Sequence, residues 1–130
     1  MTYTIVNLEE VPDAAPGFGM SDIQQARFAR EPLQATDTGL AFHRIQPGRR
    51  QGFAHRHRNA EEIYVVLAGS GAVVLDGDVR ELTRLDAVRV APAVLRAFEA
   101  GPDGMELLAF GPHHEADGEM VHEGFWPDAG

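Results

Sequence analysis

The sequence predicts an all-β domain, a barrel or sandwich of antiparallel strands with little helix. Short apolar runs rich in β-branched residues alternate with Gly- and Pro-containing turns along the middle of the chain. These turns recur roughly every eight to twelve residues, which is typical of antiparallel β domains. A length of 130 residues suits one domain with one hydrophobic core.

The clearest strand signals lie on either side of one predicted hairpin. Residues 62–67 are rich in Ile, Tyr and Val and precede a small-residue break at 68–71. Residues 72–75 and 78–82 form two further runs, separated by Asp76-Gly77. Asp-Gly between two such runs predicts a tight turn, because both turn positions favour positive φ.

The remaining elements follow from the same turn signals. Further strands are predicted at 39–46, 87–90, 94–99 and 104–110. Helix is expected only as one turn at 21–29, whose last residues suit the start of a strand equally well. Within a single domain, we therefore expect an N-terminal lead-in with one or more strands at 1–38, a barrel at 39–110 and an acidic C-terminal tail at 111–130.

Composition and charge exclude several classes of function. A formal net charge of −9 disfavours nucleic acid and anionic membranes as partners. The chain has no cysteine, and all eleven of its basic Lys/Arg residues are Arg, so thiolate and Schiff-base chemistry are excluded. No apolar run approaches the roughly 18 residues of a membrane helix, and the N-terminus lacks signal-peptide features. A cytoplasmic location is expected.

A candidate metal site lies just before the clearest strand. Alternate residues of a strand share a face, so His55 and His57 point the same way with Cα atoms roughly 6–7 Å apart. A carboxylate from an adjacent antiparallel strand supplies a third ligand. Two histidines and one carboxylate form an established set for Fe(II), Zn or Mn, with positions left open for water or substrate.

This stretch resembles the first conserved motif of the cupin family. Pro47-Gly48, His55-x-His57, Glu62 and Gly69 occur in the family's order, with six residues between Glu62 and Gly69. That interval favours Glu62 over Glu61 as the ligand. The resemblance implies a single cupin domain, that is, a jelly-roll β-barrel, and a homodimer.

The second cupin motif is only partly retained. In 86–99 the apolar strand and Pro92 are present, but Arg96 stands where the family has its fourth ligand, a histidine. Arg cannot ligate a metal, because it stays protonated and offers no free lone pair. Either Arg96 pairs with Glu62 in a metal-free barrel, or three ligands hold the metal while Arg96 turns aside or grips an anionic substrate.

Two functions from different classes follow. The first is a barrel that binds a small organic ligand, with an anionic group favoured by Arg96. The arginine-rich stretch at 44–58 is either a solvated rim or a cationic mouth that attracts a carboxylate or phosphate and so supports this function. The second is a metal-dependent enzyme of dioxygenase, isomerase or cyclase type, to which the resemblance adds Ni to the candidate metals. A structural or regulatory subunit without a working site is a third interpretation. The predicted ligand-binding residues are His43, Glu61, Tyr64, Arg96 and Phe98.

Overall fold

A computed structural model describes residues 2–128 as one curled antiparallel sheet of eight strands. The strands are β1 (Gln24–Phe28), β2 (Thr38–Ile45), β3 (Ala54–His57), β4 (Glu62–Leu75), β5 (Asp78–Leu82), β6 (Ala87–Val90), β7 (Arg96–Pro112) and β8 (Gly118–Val121). The other elements are a short helix α1 (Arg30–Leu33) and 3₁₀ turns at Leu8–Glu10 and Ala15–Phe18. The predicted all-β class is confirmed. No helix within 2–128 has the length and apolar character needed to cross a membrane.

The central hairpin forms as predicted. Strand β4 pairs with β5 in a register that joins Leu75 to Asp78 across the turn. The two turn residues, Asp76 and Gly77, have φ angles of 49° and 84°. Both values are positive, as a hairpin turn of this kind requires. The bounds of β5 and β6 agree with the sequence prediction.

The predicted breaks inside the two longest strands are wrong. Strands β4 and β7 each run straight through them, and their mutual register shifts between Val66 and Ala68 and again between Gly69 and Gly71. A Cβ on Gly71 would lie 2.0 Å from the Glu99 carbonyl oxygen. Small residues therefore allow two backbones to approach and bend together here, instead of reversing the chain.

The helical turn expected at 21–29 is also wrong, because the segment forms strand β1. Gln24 and Ala26 are buried while their neighbours are more exposed, so burial has the period of a strand. Backbone pairing with β2, from Gln24 opposite Ile45 onward, holds the strand in place. The only α-helical turn in 2–128 follows directly, as α1.

The main hydrophobic core is a cluster of buried side chains from strands β2, β4, β5, β6 and β7. Its fully buried members include Val66, Val73, Phe98 and Leu107. Each such side chain stabilises the fold by about 1.5–3 kcal/mol relative to exposure. A second cluster forms around the buried Trp126, whose ring lies 4.4 Å from the guanidinium of Arg50. Trp126 thereby anchors the end of the chain against the sheet.

Candidate metal centre

The candidate ligands come from two strands that do not pair with each other. Strand β3 carries His55 and His57 and pairs with β7 and β8. Strand β4 begins at Glu62 and pairs with β5, β6 and β7. The carboxylate was predicted on a strand adjacent to the histidine strand, and that placement is wrong. Glu62 instead meets them because the sheet curls.

The three side chains converge on one point. The Nε2 atoms of His55 and His57 each lie 3.3 Å from Oε1 of Glu62, and one ligand atom from each residue falls within 4.8 Å of the others. Ligands about 2.1 Å from a metal ion lie roughly 3.0–3.4 Å apart in octahedral or tetrahedral arrangements. The observed separations from Glu62 therefore suit a divalent transition metal.

The hydrogen bonding of His57 also fits a ligand. Both of its ring nitrogens are buried, and each faces a carboxylate oxygen at 3.3 Å, Nε2 that of Glu62 and Nδ1 that of Asp117, without the alignment of a hydrogen bond. Buried polar atoms nearly always have a partner, so an orphaned imidazole nitrogen calls for one. A metal ion beside Nε2 would provide it. The set of ligand residues and the lack of a hydrogen bond at Nε2 of His57 are both consistent with a bound metal ion.

Tyr64 completes the polar cluster. Its hydroxyl donates a 2.6 Å hydrogen bond to Oε1 of Glu62. Burial alone would raise the pKa of Glu62, but the contacts with His55, His57 and Tyr64 lower it well below the usual range. Burial, and then the Glu62 charge, raise the pKa of Tyr64 well above its usual value. At neutral pH the cluster therefore contains a carboxylate and a neutral phenol.

The cluster opens into a cavity of about 790 Å³. Three of the predicted ligand-binding residues, His43, Tyr64 and Phe98, lie in its wall. Burial, and then the nearby His55, lower the pKa of His43 to about 4. Its imidazole is therefore neutral at neutral pH, and its buried Nδ1 has no hydrogen-bond partner within the described residues.

The other two predicted ligand-binding residues do not reach the cavity wall. Arg96 is only 1% exposed, and its guanidinium donates to the carbonyl oxygens of His55 and Ala91, each at 3.4 Å. Glu61 is exposed and forms an ion pair with Arg89 at 3.3 Å. Successive strand residues face opposite sides, which explains why Glu62 points inward while Glu61 points out.

Arg96 does not neutralise Glu62. The ion pairs within 2–128 that involve Glu62 are those with His55 and His57. The arginine-rich stretch does not form a cationic mouth either, because none of its five guanidinium groups lies in the described cavity wall. Arg44, Arg49, Arg50 and Arg56 instead form ion pairs with carboxylates.

Sequence reasoning missed Asp117, which lies against His57. The side chain is 5% exposed, and its Oδ2 is 3.3 Å from Nδ1 of His57. Burial alone would raise the pKa of Asp117, but hydrogen bonds from Ala60 and Asn59 outweigh it and lower the pKa. No pattern in the acidic tail distinguishes this residue from its acidic neighbours.

Comparisons with known proteins identify a family. The chain matches the family described as Cupin domain over residues 41–111. A cupin protein from Bacteroides fragilis has a TM-score of 0.70 at 22% identity, covering 89% of this chain and 88% of its own. The polyketide cyclase RemF from Streptomyces resistomycificus has a TM-score of 0.73 at 20% identity, covering 95% and 89%.

A longer enzyme shares the same barrel. Salicylate 1,2-dioxygenase from Pseudaminobacter salicylatoxidans has a TM-score of 0.60 at 23% identity, and the match covers 75% of this chain but 29% of the dioxygenase. A search of curated protein sequences finds no match. At these identities the structural likenesses establish the fold.

Proposed function

The chain belongs to the cupin family, and from that premise we propose that it is a metal-dependent enzyme acting on a small, largely apolar organic substrate. The observation that carries this proposal is the convergence of His55, His57 and Glu62 in the wall of the cavity. The competing metal-free barrel requires Arg96 to pair with Glu62 or to face an anion. Arg96 instead contacts backbone carbonyl oxygens.

His55, His57 and Glu62 would hold the ion, which is Fe(II), Mn, Ni or Zn on the chemistry of this donor set. A divalent ion supplies Lewis acidity toward a carbonyl or enolate oxygen of the substrate. Tyr64 orients the Glu62 carboxylate and retains its own proton on the hydroxyl oxygen. Phe98 packs against the Tyr64 ring, with 4.7 Å between ring centroids, and thereby orients the hydroxyl.

The wall of the cavity indicates the class of substrate. Apolar side chains that include Phe18, Phe28, Phe53, Phe98 and Met120 contribute to it. Such surface excludes water and favours a ring-bearing molecule over a small, highly charged acid. Two structural neighbours are named as a polyketide cyclase and a salicylate dioxygenase, names that describe oxygenated organic substrates. We therefore favour an aromatic or polycyclic substrate with one oxygen atom near the metal.

Binding of 4-nitrocatechol, a coloured aromatic chelator, tests this proposal. Protein loaded with Mn or Zn should bind one equivalent with a change in its visible spectrum. Oxalate should bind at least about 10-fold more weakly, because burial of the ring adds about 1.5–3 kcal/mol. Chelator-treated protein and a Glu62→Gln variant should lose the spectral response. Equal binding to loaded and metal-free protein would contradict the proposal, as would tighter binding of oxalate.

A further inference from the structure

Gln24 is a second polar group in the wall of the cavity, on a strand that carries no member of the ligand cluster. It is the first residue of β1, and it is only 6% exposed. Strands β2 and β7 lie between β1 and the strands β3 and β4 in the sheet. Gln24 and Ala26 are the buried positions of β1, and both line the cavity. A buried amide normally has hydrogen-bond partners, so the partners of Gln24 determine which of its atoms the cavity receives.

The orientation of the Gln24 amide follows from a chain of hydrogen bonds that starts at the backbone. The Phe98 N–H can only donate, and it donates to Oε1 of Gln51 at 3.1 Å. The Gln51 N–H donates to the Phe98 carbonyl oxygen at 3.0 Å, which holds the two residues side by side. Nε2 of Gln51 then donates to Oε1 of Gln24 at 2.9 Å. The Gln24 amide therefore directs its nitrogen away from Gln51.

Nε2 of Gln24 is the free donor at the end of this chain. The bond from Gln51 is the only hydrogen bond that the Gln24 side chain makes within residues 2–128. Nε2 is nevertheless absent from the buried, unpartnered polar atoms of that range, so it borders open space. For a side chain on the inward face of β1, that space is the cavity. The cavity wall thus presents an oriented N–H donor remote in the sheet from the ligand cluster.

We propose that Gln24 binds a carbonyl oxygen of the organic ligand through Nε2, and that Gln51 is the positioning residue that fixes the amide. The nitrogen of an amide only donates, so the bound group must be an acceptor. A hydroxyl group is a poorer match, because its own proton would need an acceptor while Oε1 of Gln24 faces Gln51. A carboxylate is also a poorer match, because a buried charge needs a cationic partner, and no arginine within 2–128 is hydrogen-bonded to either glutamine.

This inference rests on the proposed function for the role of the cavity as the substrate site, and it narrows the class of substrate. The substrate would carry a carbonyl group at Gln24 in addition to the oxygen atom near the metal. Binding at Gln24 itself needs no metal ion, so it can be measured separately.

The probes 1-indanone and indane test the inference in chelator-treated protein. They share a bicyclic skeleton and differ by one carbonyl oxygen. In wild-type protein, ¹H–¹⁵N NMR should show a side-chain amide proton of Gln24 moving downfield with 1-indanone and not with indane. Gln24→Met should weaken the binding of 1-indanone by about 2- to 10-fold, the effect of one hydrogen bond, and leave the binding of indane unchanged.

Gln51→Glu tests the positioning role, because it leaves Gln24 in place. One carboxylate oxygen can accept from the Phe98 N–H, but the other cannot donate to Gln24 as the amide nitrogen does. The Gln24 amide should then turn its N–H toward position 51, and the preference for 1-indanone over indane should fall as in Gln24→Met. Gln25→Met is the matched control, because Gln25 lies outside the described cavity wall and its Oε1 accepts from Arg27 and Arg44. It should keep the wild-type preference.

The outcomes separate this inference from the proposed function. Equal binding of 1-indanone by wild-type and folded Gln24→Met proteins would overturn the inference, as would an unchanged preference in a folded Gln51→Glu variant. The wild-type NMR measurement holds even if neither variant folds, and an unmoved Gln24 amide at saturating 1-indanone would also overturn it. A carbonyl preference that depends on Gln24, in a protein that takes up no Mn or Zn, would support the carbonyl site while contradicting the metal-dependent function.

Discussion

His57→Ala should lower the affinity of the protein for a divalent transition metal by more than about 100-fold, or about 2.7 kcal/mol of binding free energy. The variant removes one of three converging ligand atoms and leaves His55 and Glu62 as a weaker pair. Competitive titration with a coloured chelator measures the affinity for Zn or Mn. We expect one equivalent bound by the wild type and far less by the variant.

His122→Ala is the matched control, because it also removes one imidazole. His122 is exposed and lies outside both the cavity wall and the ligand cluster. The metal affinity of the His122→Ala variant should equal that of the wild type. Far-ultraviolet circular dichroism should show both variants folded. Equal metal binding by folded His57→Ala and His122→Ala proteins would mean that the metal is held elsewhere or by surface histidines.

Gly71→Ala should destabilise the fold by about 3 kcal/mol or more, which corresponds to a melting temperature roughly 10 °C lower. The new methyl carbon would lie 2.0 Å from the Glu99 carbonyl oxygen and 3.1 Å from the Ala100 Cα, both backbone atoms. Strands β4 and β7 would have to separate where their bend curls the sheet. Because that curl brings Glu62 to the histidines, weaker metal binding should accompany the loss of stability.

Gly17→Ala makes the same chemical change without a steric conflict. Apart from its own chain neighbours and the backbone of its 3₁₀ turn, no heavy atom of residues 2–128 lies within 4 Å of the methyl position, and the residue is not among the described glycines with positive φ. Its effect should stay within about 0.5 kcal/mol of the wild type. Thermal unfolding of the two variants under identical conditions measures the difference. If they melt within a degree of each other, the close approach at Gly71 is not what holds the bend.

Local signals predicted the elements that local chemistry determines. The Asp76-Gly77 turn and the strands beside it were correct, because positive φ at both turn positions admits few alternatives. The breaks at Gly69 and Gly71 were misread, because small residues serve turns and close strand approach alike. Only the partner strand decides between them, and it comes from about 30 residues further along the chain.

The predictions for the candidate site were also correct where local strand geometry decides and failed where contacts with distant residues decide. Strand parity predicted that His55 and His57 share a face, and both side chains indeed point to Glu62. Parity could not say what the buried Arg96 would contact, because that depends on the carbonyl groups around it. The contact between Asp117 and His57 could not be predicted from the sequence, because it follows from the pairing of β8 with β3.

Anomalous X-ray diffraction from crystals grown with Mn²⁺ would locate the metal ion. We expect one strong anomalous peak per chain, within about 2.0–2.3 Å of Nε2 of His55, Nε2 of His57 and Oε1 of Glu62. Arg96 should remain on the carbonyl oxygens of His55 and Ala91. A map without a peak at this cluster, with Arg96 turned onto Glu62, would exclude a metal centre at these three residues and favour the metal-free barrel.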